Sequence, residues 1–259
     1  MGLRSGYNSV FVHVHTLERP RTLYQQFKLH ILKRSVNRFV AVSETVRKCL
    51  HLQSIKNVNV IHNAVDIKKY SFHSASSQEK FGFPKNTFLL GMVGRIVKGK
   101  GYDHFVDIIQ GLPNVAGVIV GEGPYEDRLK AIITEKNLLD RIKFIPFQSQ
   151  ENLPSVYSQL DAFFLFSERE GLPLALLESQ SVGVPYIGNA VGGIGEVIRD
   201  GYNGFILDEL DIKQIENSIS QLKKNYKKFR NNARKITEEK YSIEALIGKI
   251  EQMYMESLS

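Results

Sequence analysis

An α/β fold built on parallel sheets is what this sequence predicts, and three observations predict it. Segments of strand and helix character alternate along almost the whole chain of 259 residues. Several strand segments are continuous apolar runs, such as Ala162-Phe163-Phe164-Leu165-Phe166, the pattern expected when helices cover both faces of a parallel sheet. Glycine-bearing turns follow these strands, where a doubly wound sheet places its ligands.

The elements follow in order. Asn8 to His15 is β-rich through Val10, Phe11, Val12 and Val14. A basic amphipathic helix is expected over about 21–35. Arg38–Val42 reads as a short strand, and Ser43 as the N-cap of a helix whose first residue is Glu44. Val58–Ile61 is the next strand. The polar stretch from Lys68 to Lys80, with Ser71, Ser74, Ser76 and Ser77, reads as a linker. Then the rhythm restarts, with strands at 87–93, 115–120, 142–145, 161–166, 184–188 and 204–207. Helices are expected at 100–110, 124–136, 151–159, 173–182, 193–198 and 212–224, with further helix to the C-terminus.

Composition narrows the function classes. Apolar residues at 42% and charged residues at 24% are globular values and exclude a disordered or fibrous chain. The single cysteine, Cys49, excludes an internal disulfide framework and a cysteine-built metal site, and fits a reducing compartment. No apolar run approaches the roughly 20 residues that span a bilayer, and the start MGLRSGYNSV lacks the apolar core of a secretory signal. A cytoplasmic protein is the expectation. The net charge of +7 favours anionic partners. It is concentrated in residues 19–48, where Arg19, Arg21, Lys28, Lys33, Arg34, Arg38, Arg47 and Lys48 face one acid, Glu44. This segment is read either as a solvated helix face or as a contact with anionic membrane. Nucleic acid is not expected, because no aromatic-basic platform or groove-reading motif accompanies the charge.

Four places carry chemistry. Gly94-Arg95-Ile96-Val97-Lys98-Gly99-Lys100-Gly101 nearly matches a P-loop, but Gly101 stands where the Mg²⁺-holding hydroxyl belongs. What survives is a flexible backbone with Arg95 and Lys100 at the end of a strand, suited to a diphosphate. Gly121-Glu122-Gly123-Pro124 is a tight strand-to-helix turn. Ser167 to Glu178 is the sharpest segment. The amides near Gly171 and Leu172 precede a helix opened by Pro173, which makes an anion site, and Glu170 and Glu178 flank it with seven residues between. Paired carboxylates suit the hydroxyls of a phosphorylated sugar or nucleoside. Last, Val191-Gly192-Gly193-Ile194-Gly195-Glu196 is read equally as a phosphate or sugar contact and as a flexible loop.

Together these segments resemble the retaining GT-B glycosyltransferases of family 4, the glycosyl transferases group 1. The likeness adds Val42-Ser43-Glu44, Ile61-His62-Asn63-Ala64-Val65-Asp66, Gly183-Val184-Pro185 and Asn203-Gly204-Phe205, and runs from about Val10 to Phe205. It implies a complete C-terminal Rossmann-like domain over 85–240. It also implies the last part of an N-terminal, acceptor-side domain over 1–70, a linker at 71–84, and a C-terminal helix at 241–259 returning to the N-terminal part. By the same resemblance Arg95 and Lys100 neutralise a donor diphosphate, Glu178 binds the ribose hydroxyls, and Glu170 faces the transferred sugar. The Gly171 and Leu172 amides hold phosphate, Gly94, Gly121 and Glu122 line the donor, and Phe144 to Phe147 contact a uracil or guanine base. His15 matches a family histidine facing the donor sugar, although it and His13 also read as buried polar residues of one strand face. No metal or other cofactor is implied. Alanine at Ala64 replaces the usual family glycine, and the start of the N-terminal domain with its glycine loop lies outside the resemblance.

The expected activity is retaining transfer from a UDP- or GDP-sugar to a saccharide or lipid-linked acceptor, in surface polysaccharide or glycolipid assembly at the inner face of a membrane. The alternatives are a non-catalytic nucleotide-sugar-binding subunit or a truncated transferase, completed by a partner chain or by self-association. A nucleotide-sugar epimerase of similar architecture fits the combination of Arg95, Lys100, Glu170 and Glu178 less well.

Overall fold

The computed structural model describes residues 11–15, 22, 29–33, 36, 38–71, 80–84 and 86–258. It has two parallel sheets. The first holds β1 (Phe11–Val14), β2 (Arg38–Ala41) and β3 (Val58–Val60) in the order β1-β2-β3. Helix α1 (Glu44–Leu52) connects β2 to β3, and its N-cap is Ser43, whose hydroxyl accepts from the Val46 amide at 3.1 Å. Residues 29–33 are helical, within the expected 21–35 helix. The basic positions Arg19, Arg21, Lys28 and Arg34 lie outside the described residues.

The second sheet contains β4 (Phe88–Val93), β5 (Val115–Val120), β6 (Ile142–Ile145), β7 (Ala162–Leu165), β8 (Tyr186–Gly188) and β9 (Gly204–Ile206). Their spatial order is β6-β5-β4-β7-β8-β9, all parallel. The order reverses between β4 and β7, so the crevice at their carboxyl ends is the topological switch point where doubly wound sheets bind ligands. Helices α2 (Tyr102–Gly111), α3 (Glu126–Glu135), α4 (Leu153–Ser158), α5 (Leu174–Ser181) and α6 (Ile194–Val197) fill the crossovers. The apolar strands are buried as their composition requires, with Leu89, Leu90, Ile119, Phe163 and Phe164 at 0% exposure.

The differences from expectation have local causes. β8 begins at Tyr186 rather than at 184, because Pro185 has no amide for the ladder and offers only its carbonyl to Phe163 at 2.8 Å. Pro173 is extended (ψ 125°) and stands just outside α5. Residues 80–84, read as the end of the linker, pack on the second sheet instead. Phe83 is buried there, Lys80 pairs with Asp161 at 2.5 Å, and Lys143 reaches the Phe81 carbonyl at 2.7 Å. The apolar Phe81 and Phe83 explain that placement. Residues 72–79 of the same stretch lie outside the described residues.

Helix α7 (Ile212–Lys240) breaks at Asn225 (φ −124°, ψ 27°), just past the expected end at 224, and then continues. Its Arg234 donates to the carbonyls of Ile67 at 2.9 Å and Ser181 at 2.8 Å, joining the segment after the first sheet to the second lobe. Helix α8 (Ile243–Leu258) lies on the first sheet: Met253 is buried with Val40 and Ile61, the Tyr254 and Phe11 rings meet edge to face at 5.0 Å, and Glu256 pairs with Arg38 at 3.2 Å. One buried cluster runs through both lobes.

Candidate functional site

The two strand-end turns form one floor. Gly94 (φ 145°) and Gly121 (φ 134°) take conformations that side chains rarely adopt, and a Cβ on Gly121 would stand 2.1 Å from the Gly94 carbonyl oxygen. The turns are tied by Gly94 N to Val120 O at 2.9 Å and Ile96 N to Glu122 O at 2.9 Å. Above them opens a cavity of about 620 Å³ bordered by Gly94, Arg95, Gly121, Glu122, Phe147 and Glu178, all six nominated from sequence. Arg95 is exposed and makes no ion pair among the described residues. Phe144 is not in the cavity wall; its ring packs partly buried against the core beneath the Lys130 ammonium, at 5.3 Å. Gln148 takes a place in the wall beside Phe147.

A second cluster gathers at the end of β7. Gly101 (φ 88°) lets the 99–101 turn press onto that strand end, for a Cβ would meet the Phe166 carbonyl oxygen at 2.5 Å. This brings Lys100 Nζ to 2.6 Å from Glu170 Oε1, which also accepts from Ser167 Oγ at 2.7 Å. The Glu170 side chain is 8% exposed and that of Lys100 34%, so the ammonium is the wetter partner. Lys100, read from sequence as a diphosphate cation, is thus held by the carboxylate read as facing the sugar.

At Gly171 the two lobes meet closely. A Cβ there would stand 1.9 Å from the His15 carbonyl oxygen. Gly192 (φ 65°) backs onto the Glu170 carbonyl, with 2.0 Å to a Cβ, and the Gly193 amide donates to Gly171 O at 2.6 Å. The glycines of 192–193 therefore serve as close-packing positions against the Glu170–Gly171 turn. The amides of Gly171 and Leu172 make no hydrogen bond among the described residues, while the Leu172 carbonyl accepts from Asn63 Nδ2 at 2.7 Å. His15 is exposed beside this turn, its ring 6.4 Å from that of His13. His13 is exposed as well, so neither histidine is a buried polar residue, and partial desolvation, followed by the neighbouring His15, pulls the His13 imidazole below its ordinary value.

Sequence reasoning missed three partners. Tyr157 on α4 and Tyr70, at the end of the segment following the first sheet, donate their phenols to opposite oxygens of Glu178, at 2.8 and 3.0 Å. Burial raises the Glu178 carboxyl above its usual value, and the two phenols and the Lys69 charge only partly offset this. The third is Glu196. Its carboxylate accepts from the amides of Glu44 and Thr45 at 3.1 and 3.3 Å and lies 2.9 Å from His62 Nε2, so it caps α1 from the other lobe. Burial pulls Glu196 upward, but these bonds win and hold its carboxyl below the ordinary range. A lone tyrosine bordering a serine-rich stretch was the available signal for Tyr70; nothing local distinguishes Tyr157 or Glu196.

The family model for glycosyl transferases group 1 matches residues 74–240. The D-inositol 3-phosphate glycosyltransferase of Mycolicibacterium smegmatis is 31% identical over 180 residues, which cover 67% of this chain and 41% of that protein. The UDP-Gal:alpha-D-GlcNAc-diphosphoundecaprenol alpha-1,3-galactosyltransferase of Escherichia coli is 31% identical over 182 residues, covering 66% of this chain and 46% of that protein. The chain thus spans under half the length of either relative. Among solved structures, Anabaena Alr3699/HepE in complex with UDP and glucose superimposes with a TM-score of 0.83 at 20% identity, over 95% of this chain and 71% of that one. That likeness is one of fold, and the fold is the GT-B type. No helix among the described residues is long and apolar enough to cross a membrane.

Proposed function

The chain belongs to the glycosyl transferases group 1 family, and on that premise we propose that it is a retaining glycosyltransferase using a UDP- or GDP-sugar. The acceptor is a saccharide or a lipid-linked acceptor, in surface polysaccharide or glycolipid assembly at the inner face of a membrane. The observation that carries the reading is a cavity bordered by both Arg95 and Glu178 at the carboxyl ends of β4 and β5, with the Lys100–Glu170 pair at the end of β7, the other neighbour of β4. The nucleotide occupies the 620 Å³ cavity, its ribose at Glu178 and its base at Phe147 and Gln148. Arg95 and Lys100 balance the diphosphate, and the amides of Gly171 and Leu172, without a hydrogen bond among the described residues, support the same reading. The positive charge a metal brings elsewhere comes here from these two side chains.

In the reaction, the acceptor hydroxyl attacks the anomeric carbon from the face the nucleotide leaves. A donor phosphate oxygen takes the hydroxyl proton, and Glu170 stabilises the oxocarbenium-like sugar while Lys100 follows the departing phosphate. His15 stands beside Gly171 on the acceptor side, where it positions the sugar. The UDP named with the HepE structure and the UDP-Gal in the name of the E. coli relative support a uridine donor.

One observation favours a second reading, a nucleotide-sugar-binding subunit completed by another polypeptide or by a second copy: β1 pairs only with β2 among the described residues. Incubating the purified chain with UDP-glucose or UDP-galactose separates the two. Release of UDP with sugar hydrolysis or transfer supports the enzyme, and binding without turnover supports the subunit.

A further inference from the structure

We infer that Tyr70 and Tyr157 form a clamp that fixes Glu178 for a vicinal diol, making the cavity selective for ribonucleotides over 2′-deoxyribonucleotides. The inference rests on the donor-site reading above and adds two positioning residues to it.

The geometry is specific. Tyr70 donates to Glu178 Oε1 at 3.0 Å and Tyr157 to Oε2 at 2.8 Å, so neither oxygen can turn without breaking a bond. Tyr157 is fully buried and Tyr70 is 4% exposed, and Glu178 and Tyr157 both border the cavity. A carboxylate offers about four lone-pair sites. The phenols take two, one on each oxygen, and leave one on each for a ligand. A pair of adjacent hydroxyls matches that arrangement.

Burial alone would drive this carboxyl toward its neutral form, which accepts only at its remaining lone pairs. The phenols oppose that drift. They stay donors themselves, because burial and the Glu178 charge push both hydroxyls far above the usual tyrosine range. A glutamate side chain otherwise has three rotatable bonds, and fixing them before the ligand arrives removes an entropic cost from binding. Tyr70 is anchored in turn: its carbonyl accepts from Ser181 Oγ at 2.8 Å, at the end of the helix that carries Glu178, and from Arg234. The clamp therefore joins the segment after the first sheet to the nucleotide cavity of the second.

The test compares the affinities of the full chain for UDP and 2′-deoxy-UDP, and for GDP and 2′-deoxy-GDP, in the wild type, Tyr70→Phe and Tyr157→Phe. The wild type is expected to prefer the ribonucleotide by about tenfold or more, since a charged hydrogen bond to a hydroxyl is lost with the deoxy sugar. Each phenylalanine variant is expected to lose most of that preference while its affinity for the deoxy compound changes by less than about twofold. A merely structural role would lower both affinities together and leave the ratio alone. A wild-type preference retained in the variants overturns the clamp. Should Tyr157→Phe not fold, Tyr70→Phe alone decides, because it removes one oxygen and keeps the ring. Absence of binding by any nucleoside diphosphate to the wild type overturns the donor-site reading itself, a different result from an unchanged ratio.

Discussion

Glu170 and Glu178 are the same residue type, eight positions apart on one turn and helix, and both are largely buried. Their surroundings are opposite. Glu170 accepts from a lysine ammonium and a serine on the same oxygen, whereas Glu178 accepts from one neutral phenol on each oxygen. An ion pair sets a carboxylate beside a mobile positive charge, as a site facing a reacting sugar requires. Two neutral donors fix a carboxylate's orientation without neutralising it, as recognition of two hydroxyls requires. The difference teaches that spacing along the chain nominates a pair of acids, and that their neighbours set the two in unlike surroundings, on which the proposed division of roles rests.

The largest expected effect tests that division. Glu170→Ala should reduce sugar transfer by about 10²–10³-fold while nucleotide affinity stays within about threefold, measured as turnover beside a calorimetric titration. Equal losses in both quantities would erase the contrast. Glu178→Ala should do the converse, weakening UDP or GDP binding by about tenfold to a hundredfold, as for a lost charged hydrogen bond, with turnover at saturating donor much less altered. Unchanged nucleotide affinity in Glu178→Ala would sink the ribose assignment.

The components of the site were legible in the sequence only in part. The acids, Arg95, the glycine turns and the positions of the strands along the chain were read from local pattern, because strand-end glycines and apolar runs report backbone requirements that residue type alone reveals. The unlike surroundings of the two acids were not. Tyr70 and Tyr157 reach Glu178 from 108 and 21 positions away, and no spacing rule links them. The Gly192-Gly193 pair was read equally as ligand contact and flexible loop, since a glycine that admits another backbone looks in sequence like one that admits a phosphate. Phe144 and Phe147 read alike in one segment, yet the first is a β6 residue under Lys130 and the second a cavity residue that is 67% exposed.

Smaller effects sharpen the contrast by testing the frame that holds the two acids. Gly171→Ala forces a Cβ against the His15 carbonyl and should cost about 1–3 kcal/mol, typical of overpacking at a site with no slack; thermal unfolding measures it, and a melting temperature equal to wild type would show the lobes less tightly apposed there. The smallest expected effect concerns Glu196. Its carboxyl is depressed in the folded state, so its stabilising contribution is complete above the ordinary glutamate range near 4.5 and is lost as pH falls through the folded value. Glu196→Gln should therefore melt lower than wild type at neutral pH, with the gap closing at acid pH. A gap that persists below the carboxylate range would mean that shape rather than charge at Glu196 caps α1.

The central claim is that the cavity over the carboxyl ends of β4 and β5 binds a nucleoside diphosphate. Calorimetric titration of the intact chain with UDP, GDP and ADP, without added metal, tests it most directly. One nucleotide should bind at a single site, and Arg95→Ala and Glu178→Ala should each weaken that binding. Failure of all three nucleotides to bind, or binding indifferent to both substitutions, would contradict it.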